Sequence, residues 1–130
     1  MRRSLVVGLV VLGWMGWGWT GEQNGRFLLE LCQAAMRSFN GEMVLRGDGE
    51  KAALCVGYLW GFTEGSQLAS AYPFMRPKNE LVYCIEAANV SNEQYTRIVV
   101  KYLQEYPQRL HLDMGVLVGL ALRAAFPCPK

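Results

Sequence analysis

The stretch Ser91-Asn92-Glu93-Gln94-Tyr95-Thr96-Arg97-Ile98-Val99-Val100-Lys101-Tyr102-Leu103-Gln104-Glu105-Tyr106-Pro107 reads as a helix from its first residue to its last. Ser91 and Gln94 have the spacing of a capping box, in which the serine hydroxyl takes an orphan amide of the first turn. Tyr95, Ile98, Val99, Tyr102, Leu103 and Tyr106 then recur three and four apart, which places them on one stripe. Glu93 and Arg97 form an i,i+4 ion pair on the outside. Pro107 stops the helix. Three tyrosines on one stripe suit either a stacking platform or a core whose hydroxyls reach the rim, and the core reading is preferred.

Outward from this helix the same period recurs. Residues 26–39 carry Phe27, Leu28, Leu31, Ala34, Ala35 and Phe39 at mixed 3/4 spacing, closed by Asn40-Gly41. Residues 41–49 are polar and glycine-rich, a connecting loop. A second helix runs from about Glu50 to Ser70, with Ala53, Leu54, Tyr58, Leu59, Phe62, Leu68 and Ala69 as its apolar face. Gly57, Gly61 and Gly65 sit four apart within it, and each glycine costs about 1 kcal/mol inside a helix. Close approach of another helix within a soluble core is the expected reason, ahead of a membrane dimer motif, because Glu50, Lys51, Glu64 and Gln67 interrupt the apolar surface. Asp113 is placed to cap a fourth helix over residues 114–126, whose apolar residues are Val116, Leu117, Leu120, Ala121, Ala124 and Ala125. His111 lies in the short linker before it and suits a tight turn better than a catalytic role. No β-alternating run and no glycine-rich phosphate loop is visible. The fold class is all-α, a small four-helix domain of two helical hairpins.

At the N-terminus, Arg2-Arg3 precede a short apolar run, Leu5 to about Met15, and a Gly/Trp tract ending at Thr20. This has the form of a secretory signal peptide over residues 1–20, with residues 21–130 as the mature domain. The run is shorter than the ~20 residues of a spanning helix, so no stable membrane insertion is expected after cleavage. An uncleaved anchor is the rival reading. Of 13 basic and 11 acidic residues, two of the basic ones are Arg2 and Arg3. The mature chain is therefore balanced, which excludes the phosphate-neutralising surface of a nucleic-acid binder.

Four cysteines follow the leader: Cys32, Cys55, Cys84 and Cys128. An even number in a small exported domain reads as a disulfide framework. No C-x-x-C spacing exists and His111 is the single histidine, so no metal or cofactor site is expected. A cysteine nucleophile would require a free thiol and an orienting partner, and the chain is not expected to be an enzyme. Cys32 and Cys55 flank the first loop at similar distances. Cys84 precedes the third helix and Cys128 follows the fourth. Antiparallel hairpins therefore pair Cys32 with Cys55 and Cys84 with Cys128, each bridge contributing ~3 kcal/mol.

Residues 71–90 form the longest irregular piece and include Tyr72-Pro73-Phe74-Met75-Arg76-Pro77-Lys78. Two prolines exclude a helix there. Tyr72, Phe74 and Met75 with Arg76 and Lys78 make a candidate partner-binding loop, and equally one that tucks under the domain. The outer edge of the last two helices, including Tyr106 and Arg109, is the rival surface.

Several blocks together resemble the Rap/Tai immunity proteins of type VI secretion systems. They are Leu28-Leu29-Glu30-Leu31-Cys32, Cys55-Val56-Gly57-Tyr58-Leu59-Trp60-Gly61, Tyr83-Cys84-Ile85, Val99-Val100-Lys101-Tyr102-Leu103, Pro107-Gln108-Arg109-Leu110-His111 and Ala124-Ala125-Phe126-Pro127-Cys128. The resemblance spans the mature chain. It implies a helical periplasmic protein, often dimeric, that binds and blocks a secreted peptidoglycan-cleaving amidase effector without catalysis of its own. A second copy of the chain therefore counts among the expected partners. A structural or chaperone-like periplasmic binding protein is the alternative; a single histidine and dispersed acids speak against an acid-stress chaperone.

Overall fold

The computed structural model describes residues 22–71, 83–84 and 90–128. Four α-helices follow one another: α1 (Gly25–Phe39), α2 (Asp48–Ala71), α3 (Asn92–Glu105) and α4 (Met114–Ala125), with a 3-10 turn at Pro107–Arg109 between the last two. Among the described residues there is no strand, only an isolated bridge between Asn24 and Asp113. The all-α reading and its two hairpins hold. The leader, residues 1–20, lies outside the described residues, as does the segment carrying Tyr72, Phe74, Met75, Arg76 and Lys78.

Local chemistry sets the helix ends. Asn24 caps α1, its side-chain oxygen accepting from the amides of Arg26 and Phe27 at 3.0 and 3.2 Å. The Ser91 hydroxyl accepts from the Gln94 amide at 3.1 Å, half of the expected capping box. α1 stops at Gly41, whose φ of 65° is open to glycine at little cost. The Gly41 amide then reaches Ser38 O and the Glu42 amide reaches Arg37 O, the paired bonds of a Schellman ending. Asp113 holds the N-cap position of α4, but its side chain makes no capping bond. The start of α4 is fixed instead by backbone pairing to the start of α1. The Gly25 amide donates to Leu112 O at 3.0 Å, and the Met114 amide to Gln23 O at 3.1 Å. A Cβ at Gly25 would come within 3.0 Å of the Leu110 Cα, so this seam has no room for a side chain.

The hydrophobic core forms where the hairpins meet. Leu28, Leu31, Cys32 and Ala35 of α1 face Cys55 and Leu59 of α2, Val99 and Leu103 of α3, and Leu117, Val118 and Leu122 of α4. Tyr95 and Tyr102 are buried and Tyr106 packs against the core, which favours the core reading of the tyrosine stripe. The two expected disulfides are present. Cys32–Cys55 joins α1 to α2 with Cα atoms 5.1 Å apart, and Cys84–Cys128 joins the approach to α3 to the end of α4 at 4.7 Å. The Cys84 amide also donates to Phe126 O, and Tyr83 stacks on Phe62, so the chain before α3 is pinned to both hairpins.

Two readings of apolar faces are corrected. In α2 the core takes Cys55 and Leu59, with Tyr58 and Phe62 packed beside them, whereas Ala53, Leu54, Leu68 and Ala69 point outward. Gly57, Gly61 and Gly65 lie on that outward side. A Cβ at any of them meets nothing within 4 Å among the described residues, so none of the described helices approaches them. The close-packing expectation fails for a simple reason: α2 carries apolar residues on both sides, and period alone does not say which side is the core. At the ends of their helices, Phe27, Phe39, Val116, Ala124 and Ala125 are likewise exposed.

Candidate functional site

The chemistry available for catalysis is small. All four cysteines are in disulfides, so the described residues offer no thiol nucleophile. Among them no group of three His, Cys, Asp or Glu side chains is placed to hold a metal ion. His111 holds a turn, with Nδ1 3.1 Å from Gln108 O. Arg109, part of the rival surface, is occupied internally. Its guanidinium donates to the Tyr102 hydroxyl and lies over the Tyr106 ring, 4.8 Å from the centroid. Tyr102 and Tyr106 are themselves 4.6 Å apart. This stack holds the 3-10 turn against α3.

The segment expected to bind a partner, Tyr72 to Lys78, lies outside the described residues. α2 ends at Ala71, and the described residues resume at Tyr83 and Cys84.

A different surface is built in full at the opposite end of α2. The loop from Gly41 to Gly47 joins α1 to α2 and is held by its base. Asp48, only 3% exposed, accepts from Arg37 Nε at 2.9 Å and Nη2 at 2.8 Å. The second Asp48 duty is to the loop itself: Oδ2 accepts the Leu45 amide at 2.9 Å. The guanidinium and that amide hold the Asp48 carboxyl down at about 2, and the Arg37 pKa is raised in return. On the other side Asn40 donates to Glu42 Oε1 at 2.9 Å and accepts from Arg97 Nη2 at 2.9 Å, which ties the loop to α3. Gly47, with φ of 86°, turns the chain back into α2.

This frame displays three consecutive apolar side chains to solvent. Met43 is 83% exposed, Val44 55% and Leu45 57%. A run of exposed apolar residues on a hydrogen-bonded loop contributes nothing to the core and favours a partner. Sequence reasoning passes over it because the glycines and charged residues around it make the loop read as polar. The available signal was Met43-Val44-Leu45 standing unbroken between Gly41 and Gly47.

The second exposed apolar surface is the outward side of α2, where Leu54, Trp60 and Leu68 are 58%, 59% and 58% exposed. Neither surface carries a reactive group; both are suited to binding.

A family model described as Rap1a immunity proteins matches residues 24–128. The match begins at the cap of α1 and ends at the last cysteine. No curated protein and no solved structure matches the chain.

Proposed function

The chain belongs to the Rap1a immunity protein family, and on that premise we propose that it binds and inhibits a peptidoglycan-cleaving amidase effector of a type VI secretion system in the periplasm. An immunity protein acts by occupying a surface of its effector, so it needs a shape and no chemistry of its own. The observation that carries the reading is the loop between α1 and α2: a convex apolar tip, Met43 to Leu45, fixed by the Arg37–Asp48 pair. A hydrolase cleft is concave, and a rigid apolar tip fills such a cleft with little ordering entropy to lose. Glu42 and Arg46 flank the tip and supply polar contacts at the rim.

The segment Tyr72 to Lys78 is the competing contact. In sequence it follows the last residue of α2, a helix of 24 residues whose two ends are about 36 Å apart along the axis. The two surfaces therefore predict different complexes. Two disulfides agree with export to an oxidising compartment, and no helix among the described residues is long and apolar enough to cross a membrane.

The test is to measure cell-wall hydrolysis by a purified secreted peptidoglycan amidase that binds the protein, with and without the protein. Stoichiometric inhibition is expected. An amidase that binds the protein at micromolar concentration and keeps its full activity would remove the inhibitory reading.

A further inference from the structure

The two disulfides stand in opposite surroundings. Cys32 lies inside α1 and Cys55 inside α2, and both are 0% exposed, in the core where the hairpins meet. Cys84 and Cys128 belong to no helix. Cys84 sits in the chain that approaches α3, and Cys128 lies two residues beyond the Phe126 cap of α4. Both are only half-buried, and Pro127 beside Cys128 is exposed.

That difference decides which bridge can react. Thiol–disulfide exchange requires an incoming thiolate to reach a disulfide sulfur. At Cys32–Cys55 the core closes the approach, and exchange waits for the fold to open. At Cys84–Cys128 the sulfurs are near solvent, and they can part without unwinding α3 or α4. Apart from the bridge, few contacts hold the chain there. The Cys84 amide donates to Phe126 O at 3.0 Å, and the Tyr83 ring stacks on Phe62 with centroids 6.4 Å apart. The buried core that joins the four helices includes neither Cys84 nor Cys128.

We propose that Cys84–Cys128 is a site of exchange with a protein dithiol, and that its opening yields a folded form in which Cys32–Cys55 stays closed and residues 83–84 come away from the end of α4. One thiolate of the dithiol attacks a sulfur of the bridge, and the other sulfur departs as a thiolate and takes up a proton. The second thiol of the dithiol loses its proton and displaces the mixed disulfide. Two electrons pass: the dithiol ends as a disulfide, and Cys84 and Cys128 as thiols. Exposed disulfides are the ones that serve as labile or regulatory bonds, whereas buried ones are structural. The two bridges thus divide the work. Cys32–Cys55 keeps the α1–α2 hairpin stapled in either redox state, and Cys84–Cys128 fixes the entry to α3 only while oxidised. This inference stands apart from the effector reading and does not need it.

The experiment treats the native protein, both bridges closed and no denaturant present, with thioredoxin kept reduced by its reductase and NADPH. The NADPH consumed counts the disulfides opened, and alkylation followed by peptide mapping identifies them. One equivalent per chain is expected, with the label on Cys84 and Cys128. Cys32 and Cys55 should take label at least about 100-fold more slowly, since they react only from opened molecules. The half-reduced protein should keep its helicity and a cooperative melt at a lower temperature, and the Cys84 amide should lose its protection from hydrogen exchange. Its melt should match that of the Cys84→Ala/Cys128→Ala variant, which cannot form the bridge. Two equivalents consumed at one rate would show that both bridges open through global unfolding, which overturns the proposal. So does a protein that consumes no NADPH, one labelled first at Cys32 and Cys55, or a half-reduced form that has lost its helices.

Discussion

Arg37, in the last turn of α1, and Asp48, the first residue of α2, close the loop between them through two parallel hydrogen bonds of 2.9 and 2.8 Å. The fork-to-fork geometry fixes distance and orientation together, which a single lysine–carboxylate contact does not. Because Asp48 also takes the Leu45 amide, the ion pair and the backbone of the loop tip are one unit. Replacing Arg37 with Gln is expected to speed hydrogen exchange across residues 42–47 while α3 and α4 keep their protection. Exchange that stays unchanged there would mean that the two glycines alone hold the loop.

The same pair gives the fold a pH dependence. The folded Asp48 carboxyl sits at about 2, below its ordinary value of 3.8. A carboxyl depressed in the folded state contributes stability at all pH values above its unfolded pKa and loses it as pH falls toward the folded one. Melting temperature should therefore drop between about pH 4 and pH 2. Asp48→Asn should be less stable than the parent at pH 7, and the difference should narrow toward pH 2. A difference that is constant over that range would assign the slope to other carboxyls.

The disulfides carry a large part of the stability of so small a domain. Cys32–Cys55 and Cys84–Cys128 close loops of 23 and 44 residues. Loop-closure entropy gives about 3.4 and about 4 kcal/mol for these, against a net stability on the order of 5–15 kcal/mol for a typical domain. Guanidinium titration of the reduced protein is expected to show most of the folding free energy lost. Removing the Cys84–Cys128 bridge alone, by paired replacement with alanine, should release residues 83–84 and leave the α1–α2 hairpin in place. If the α1–α2 hairpin melts as readily, the two bridges are not separate staples.

How much of this was legible in the sequence depended on whether a signal was periodic. α1 and α3 could be bounded within one or two residues because 3/4 spacing agrees with the end signals, Asn40-Gly41 after α1 and the Ser91 cap and Pro107 around α3. The disulfide pairing followed from hairpin geometry, since Cys32 and Cys55 lie at similar distances from one turn. α2 could be found but not oriented: Leu54, Trp60 and Leu68 are as apolar as the residues that face the core, and only packing tells the sides apart. The loop tip was missed because three residues are too few for a period and their glycine frame reads as polar. The backbone bridge at Asn24 and Asp113 left no trace, because main-chain pairing between distant residues has no side-chain signature.

Glycine replacement separates the two environments of α2 and α1. Gly25→Ala places a Cβ within 3.0 Å of Leu110 Cα, so the seam between α1 and α4 must open. A loss of roughly 1–3 kcal/mol is expected, as for other overpacked sites. Gly57→Ala and Gly65→Ala meet open space, and each should raise monomer stability by about 0.4–1 kcal/mol through helix propensity and a less flexible unfolded chain. Thermal melts at low protein concentration read both signs. A destabilised Gly57→Ala monomer would show that something in the chain does pack there.

The functional contact is decided by comparing the two ends of α2. Met43 and Leu45 project into solvent, so replacing both with aspartate removes apolar surface from the tip without touching the core. Melting temperature should stay within a degree or two of the parent, the ordinary outcome for exposed substitutions. If the tip fills the effector's cleft, burying two carboxylates there is costly, and inhibition should weaken by about 100-fold, or 2.7 kcal/mol. Arg37→Gln leaves every tip side chain in place and only loosens their support. Its effect should be smaller, on the order of five- to tenfold, since only ordering entropy is added to the cost of binding. The graded series of tip loss over loss of support is what a preorganised plug requires. Phe74→Ala with Arg76→Ala serves as the opposite arm. If that pair weakens inhibition and the Met43/Leu45 pair does not, the effector contacts the segment that follows α2 and the loop tip is not its contact.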